Sequence, residues 1–235
     1  MNTRAVEYAS RALSVRDSRR RVIRFALKPI VFALCCLPAI LSVWDAFARQ
    51  SSLNPYNAII RDTGYWSLRF LCVTIAITPA RWLTHWHALI KFRRMMGLFA
   101  FFYGVLHLGV YFVFDQIAAV SVADRLSPLR VVGRATWRAS VDIVERPFFA
   151  IGFVALALLV PLAATSTAHM IRTLGGRRWQ VLHRLIYPAA IASVVHTYWP
   201  LTPGTPRYAV ILGVLFLLRL ARAVARRPAA SAVPN

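Results

Sequence analysis

Hydrophobic positions in this chain come in long blocks, not in alternation or in an amphipathic helical stripe. The blocks run approximately over residues 25–44, 64–82, 96–114, 148–167, 181–199 and 207–222. Each approaches or exceeds the ~20 helical residues that a ~30 Å hydrocarbon core demands. Pro29, Pro38, Pro161 and Pro188 inside the blocks speak against sheet but are tolerated in membrane helices. Trp44, Tyr65, Trp66, Trp82, Trp179, Tyr198 and Trp199 fall at block ends, where an interfacial aromatic belt belongs. The pattern predicts an all-α integral membrane protein, a six-helix transmembrane bundle.

Composition supports that class. Hydrophobic residues make up 58% of the chain, charged residues only 16%, and the mean hydropathy is +0.55. A soluble domain would carry about a quarter charged residues. The net charge of +21 raises nucleic acid as a partner, but that needs an exposed basic surface with groups that meet bases. Here Arg and Lys sit between the apolar blocks, so the charge reads as topology and no nucleic-acid partner is expected. The N-terminal tail carries Arg4, Arg11, Arg16, Arg19, Arg20, Arg21 and Arg24. The second loop holds Arg81, Lys91, Arg93 and Arg94, the fourth holds Arg172, Arg177, Arg178 and Arg184, and the C-terminal tail holds Arg226 and Arg227. The first loop has only Arg49 and Arg61, and the fifth has no charge before Arg207. The positive-inside rule then puts both termini in the cytoplasm.

The expected organisation is a basic cytoplasmic tail over 1–24, a six-span domain over 25–222 and a cytoplasmic tail over 223–235. The third loop, 115–147, is the one long periplasmic segment, its arginines offset by Asp115, Asp124, Asp142 and Glu145. Ser18-Arg19-Arg20-Arg21 ahead of the first block, with Ala46-Phe47-Ala48 after it, imitates a twin-arginine signal and cleavage site. The apolar run between them is nearer ~20 residues than the usual ~7–15 and leads into further spans, so it is read as a span. Cys35, Cys36 and Cys72 form no C-x-x-C pair and lie in apolar blocks. They read as small buried hydrophobes.

Three of the six histidines carry the chemistry. His85, His87 and His169 fall near block ends, as solvated interfacial side chains. His107 lies deep in the third block and His196 in the fifth, where polar groups are costly and usually functional. His183 and His196 are 13 residues apart, and so are Arg94 and His107. On parallel helices the same ~19.5 Å rise brings His107 level with His196 and Arg94 level with His183. Two imidazoles at one depth can ligate one haem iron from both sides. His183 faces a guanidinium, which is no iron ligand but could bind a propionate. Thirteen residues also leave a slip of about 140° around a straight helix, which either a joint rotation of both helices or a bend at Pro188 could absorb. Gly97, Gly104 and Gly109 thin the third helix, either for a flat macrocycle or for close helix packing. Arg69, inside the second block, either snorkels or pairs with a propionate.

These stretches resemble the MsrQ (YedZ) family. The resemblance is carried by Arg93-Arg94-Met95-Met96-Gly97-Leu98 through His107 and Tyr111, by Thr165-Ser166-Thr167, by Arg177-Arg178-Trp179-Gln180-Val181-Leu182-His183 and by His196-Thr197-Tyr198-Trp199. Thr63-Gly64 and the run from Asp142 to Phe153 around Arg146-Pro147 also match. The resemblance implies a ferric-reductase-like fold in the bacterial inner membrane and b-type haem on His107 and His196, with His183 as a further iron ligand or cofactor residue. It implies that electrons pass from quinol or a cytoplasmic flavin reductase to a periplasmic molybdopterin-containing subunit that reduces methionine sulfoxide in oxidised proteins. FMN is also implied, with no motif here to place it. Fuller members of the wider ferric-reductase-like group carry a second histidine on the third helix, where this chain has Arg93-Arg94, so one haem is expected and a second is open. No glycine-rich dinucleotide fingerprint is present, so the electrons are expected to come from another protein or from quinol.

Three functions follow in order: a non-catalytic electron-transfer subunit, a stand-alone transmembrane ferric or cupric reductase, and a transporter using the intramembrane His and Arg as a path. A haem absorption spectrum separates the first two from the third.

Overall fold

The computed structural model describes residues 18, 22–48, 55–123, 127–199 and 206–225. They are helical almost throughout, and no strand forms among the described residues. In chain order the helices are α1 (Lys28–Ala48, entered through a π-helical turn), α2 (Pro55–Thr84), α3 (Ile90–Tyr111), the short α4 (Ala118–Ala123), α5 (Pro128–Glu145), α6 (Pro147–Ala164), α7 (Ala168–Leu174), α8 (Gly176–Leu182), α9 (Ile186–Tyr198) and α10 (Pro206–Ala225). Most tail arginines, Arg49, Arg226, Arg227 and residues 200–205 fall outside the described residues, as does most of the Ser18 to Arg21 motif.

Every apolar block is helical over most of its length, but the blocks are not equivalent. Among the described residues, four stretches are long and apolar enough to cross a membrane: Phe25–Asp45, His87–Val120, Pro147–Ala164 and Pro206–Ala225. Their outward side chains, such as Phe32, Ile40, Val154, Val210 and Leu217, are exposed apolar groups of the kind that lipid solvates. α2 differs because it is enclosed. Leu68, Phe70, Leu71, Cys72, Thr74 and Ile75 are buried along it. A helix shielded by its neighbours need not be apolar all round, so it carries Arg61, Asp62, Arg69 and Arg81.

The fifth block is not one straight helix. His183–Leu185 is a 3-10 turn, and the 13-residue α9 starts after it at Ile186. Pro188 sits in the first turn of α9, where a missing N–H breaks no helical bond. The 3-10 turn, at about 120° per residue, changes the angle between His183 and His196 by about 60°, part of the slip a straight helix would leave. The third loop is helical over much of its length: residues 128–145 form the amphipathic α5, with Pro128 at its first position behind Ser127. In the fourth loop α7 and α8 meet at Gly175, whose φ of +75° is cheap only for glycine.

α2 and α3 pack most closely. Gly97 lies against Thr74, and a Cβ on Gly104 would come within 3.1 Å of Leu156 and 3.4 Å of Ser67. Ser67 donates to Ala100 O at 2.8 Å across the same seam. Gly97 and Gly104 thus serve helix packing, while Gly109 meets nothing within 4 Å. The backbones of α3 and α9 do not pack on each other; each packs on α2 and α6 instead. Between α3 and α9 only side chains meet, and that gap holds the site.

Candidate functional site

His107 projects from α3 and His196 from α9, and their ring centroids lie 6.1 Å apart with an interplanar angle of 79°. Each ring is held in the same way. His107 Nδ1 donates to Ile60 O at 2.8 Å, and the ring rests on Gly64, four residues further along α2. His196 Nδ1 donates to Phe148 O at 2.8 Å, and the ring rests on Gly152, four residues further along α6. A carbonyl only accepts, so both Nδ1 atoms carry the proton and both Nε2 atoms keep the lone pair. This is the outer-shell arrangement that fixes tautomer and orientation in metal-binding histidines.

This geometry requires a glycine at 152 and leaves little room for a side chain at 64. A Cβ at Gly152 would lie 2.6 Å from His196 Cε1 and 2.7 Å from its Nδ1, and one at Gly64 would lie 3.1 Å from His107 Nδ1. The Phe148 ring stacks on His196, 4.2 Å away and 16° from parallel.

Two imidazoles alone cannot complete a bare-ion site. No group of three or more His, Cys, Asp or Glu is placed to hold a metal among the described residues. The 6.1 Å separation fits an iron whose remaining ligands come from a macrocycle. Two imidazole–metal bonds of about 2 Å, plus about 1 Å from each nitrogen to its ring centre, span about 6 Å. The residues present therefore fit a haem.

His183 is placed differently, beside an open cavity of about 240 Å³ whose lining includes Thr74, Arg93, Arg94, Ser166, Trp179 and His183. Trp179 packs on the imidazole at 3.9 Å. Thr165 Oγ1 donates to Pro161 O at 2.6 Å and lies 3.2 Å from His183 Nε2. With its hydrogen committed to Pro161, the hydroxyl accepts from His183 Nε2–H. Nε2 is therefore engaged, and the remaining lone pair is on Nδ1. Trp179 Nε1 donates to Thr165 O at 3.0 Å and ties α8 to the end of α6. Arg93, Arg94 and His183 line this cavity together.

The model of the ferric reductase like transmembrane component family matches residues 63–194, from Thr63 to a point two residues before His196. A protein-methionine-sulfoxide reductase heme-binding subunit MsrQ from Polaromonas naphthalenivorans is 44% identical over 174 residues, covering 74% of this chain and 72% of that one. The protein of the same name from Rhodospirillum rubrum is 41% identical over 217 residues, covering 91% of this chain and 95% of its own. That from Herminiimonas arsenicoxydans is 39% identical over 204 residues, with 83% and 84% covered. The chain belongs to the MsrQ family.

Other residues of this MsrQ-family chain take unexpected places. Arg69 is turned toward α10: its Nε donates to Tyr208 Oη at 3.0 Å and its guanidinium lies 4.5 Å from the Trp66 ring. No hydrogen bond or ring contact joins it to His107 or His196. A polar cluster lies one helical turn beyond His107. Tyr111 Oη donates to Asp142 Oδ2 at 2.7 Å, and buried Gln116 donates to the same oxygen at 3.0 Å and to Tyr111 Oη at 2.7 Å. Arg146 pairs with Asp142 at 3.3 Å. The cluster pins α5 to the end of α3 and the start of α6. Asp142→Ala leaves the Gln116 and Tyr111 donors unmatched, at a cost of about 2 kcal/mol. Thermal unfolding in detergent should register it as a midpoint lower by about 5 °C.

Proposed function

We propose that this chain is a haem b membrane subunit that carries electrons across a bacterial inner membrane to a periplasmic catalytic partner. The partner would be a molybdopterin-containing methionine-sulfoxide reductase that repairs oxidised proteins. The observation that carries the reading is the His107–His196 pair, two neutral imidazoles 6.1 Å apart with both Nε2 lone pairs unspent. The MsrQ relatives are named as heme-binding subunits of a protein-methionine-sulfoxide reductase, which supports the haem and the methionine-sulfoxide part of this reading.

The haem, when bound, supplies reversible one-electron chemistry. The protein's part is to hold the ligands still. The carbonyls of Ile60 and Phe148 anchor the rings from α2 and α6, so neither imidazole needs to turn when the charge between them changes. The apolar walls of α2, α3, α6 and α9 keep water from the pair.

All six apolar blocks are read as spans, with both termini in the cytoplasm, because the Arg-rich loops lie together at one end. Electrons enter at that end, from quinol or a flavin reductase, beside the cavity of Arg93, Arg94 and His183. His183 has its Nε2 bound to Thr165, which suits hydrogen bonding to a quinol or an FMN better than iron ligation. This supports one haem. They leave at the other end, where α5 and the cluster at Asp142 adjoin His107.

An absorption spectrum with haem quantitation tests the reading on wild type and on His107→Ala, His196→Ala and His183→Ala. The first two should each lose the low-spin haem signal, and the third should retain it. Full low-spin haem in either of the first two would sink the pairing.

A further inference from the structure

The basic end of the bundle holds a second concentration of charge beside the Arg93-Arg94 cavity. Arg219 and Arg222, one turn apart on α10, face α2. Arg219 has a clear structural task. Pro79 has no N–H, so the carbonyl of Ile75, four residues before it, lacks its helical donor. Arg219 Nη2 donates to that oxygen at 2.6 Å, and Nη1 donates to Tyr187 Oη at 2.5 Å. Its Nε is buried and has no partner.

The neighbouring arginines have less to bind. The Arg222 guanidinium lies 4.4 Å over the Trp82 ring, and its Nε is buried and unpartnered. Arg81, next to Trp82, has a buried and unpartnered Nε as well. Thr78, one turn before them, has a buried hydroxyl without a partner. Arg93 lies within electrostatic reach of both Arg219 and Arg81, which draws the group together across α2, α3 and α10.

Nothing among the described residues balances this charge. Of the eight acidic residues, Asp45, Asp62, Asp115, Asp142 and Glu145 belong to the opposite end of the bundle, and Glu7, Asp17 and Asp124 fall outside the described residues. Guanidinium stays charged in proteins, so the group cannot relieve its repulsion by losing protons. Buried charges of one sign persist where a counter-charge joins them.

We propose that Arg81, Arg219 and Arg222, with Arg93 beside them, form a binding site for the phosphate of an anionic membrane lipid. Guanidinium forks match phosphate oxygens in pairs, which is why arginine serves such sites. The position suits a headgroup: the cluster lies within two turns of the ends of α2 and α10, and basic pockets between helices on the cytoplasmic side take anionic lipids. Trp82 supplies the interfacial aromatic wall. The site owes nothing to haem, so it stands or falls apart from the electron-transfer reading.

The test uses the full chain, purified and delipidated in a neutral detergent. Native mass spectrometry and thermal melts follow titration with phosphatidylglycerol or cardiolipin, with phosphatidylcholine and with inorganic phosphate. Anionic lipid should bind saturably and raise the melting midpoint, while phosphatidylcholine should do neither. Arg81→Gln and Arg222→Gln should each weaken anionic-lipid binding about fivefold, and Arg222→Lys should recover part of it. Stabilisation by inorganic phosphate equal to that by lipid would support the phosphate site and assign it to a soluble ion. Indifference of wild type to all three additives, or Gln variants that respond like wild type, would overturn the proposal.

Discussion

Gly152→Ala is expected to strip most of the haem from the protein while leaving its helices intact. The added methyl would stand 2.6 Å from His196 Cε1 and 2.7 Å from Nδ1, closer than carbon contacts allow. The ring cannot move freely, because Phe148 stacks on it at 4.2 Å. If it moves, it gives up the 2.8 Å bond to Phe148 O that sets its tautomer and direction. Disturbing such an outer-shell partner typically costs about 10–100-fold in metal affinity. Gly64→Ala supplies a graded control. Its methyl would meet His107 at 3.1 Å, a distance that a shift of a few tenths of an ångström relieves. The loss there should be no more than about tenfold. Soret absorbance per chain and haem titration of the stripped protein check both. Wild-type haem affinity in Gly152→Ala would show that His196 is not held in the way described.

That pair of glycines marks what the sequence could not display. His107 and His196 stand out because imidazoles are rare in hydrocarbon, and equal spacing to Arg94 and His183 put them at one depth. The structure brings the two rings together. Gly64 and Gly152 are invisible as partners until the helices are placed, since each serves a ring on a helix distant in the chain. The glycines that sequence reasoning did single out, Gly97 and Gly104, turn out to face Thr74, Ser67 and Leu156 at a packing seam.

Helix content was legible for a related reason. Long apolar blocks can satisfy their backbones in lipid only as helices, so the blocks and the helices coincide. α5 was missed because its polar and apolar residues alternate around the helix and form no block. The signal was there to find, in Ser127-Pro128 as a helix start and in Val131 and Ala135, both buried one turn apart. The break at His183 was less accessible. Pro188 suggested a bend, but only the 3-10 turn over His183–Leu185 shows that the helix restarts at Ile186. Membrane topology rests mostly on the loop charges, which act on insertion and leave little trace in side-chain contacts.

Tyr103 gives the second large expected effect, and here the size depends on which atoms are removed. It lies one turn before His107 on α3 and is fully buried. Its hydroxyl donates to Cys35 O at 2.8 Å and accepts from Ala39 N–H at 3.0 Å. In an unbroken helix those two backbone groups would bond to each other, so the hydroxyl is inserted into the ladder of α1, where Pro38 already removes a donor. Tyr103→Phe deletes the inserted oxygen, and the N–H and carbonyl can then close on each other. The cost should be about 1 kcal/mol, near the low end for a lost buried hydrogen bond. Tyr103→Ala also removes a ring packed against Phe70 at 5.3 Å and Phe99 at 6.5 Å. Cavities of that kind cost about 3–5 kcal/mol, so this variant should unfold at markedly lower temperature. The same staple joins α1 to the helix that carries His107, so Tyr103→Ala should also broaden the haem spectrum where Tyr103→Phe does not. Thermal melts read beside the Soret band separate the two effects. Equal destabilisation by Phe and Ala would mean that the hydroxyl, and not the ring, holds α1 in place.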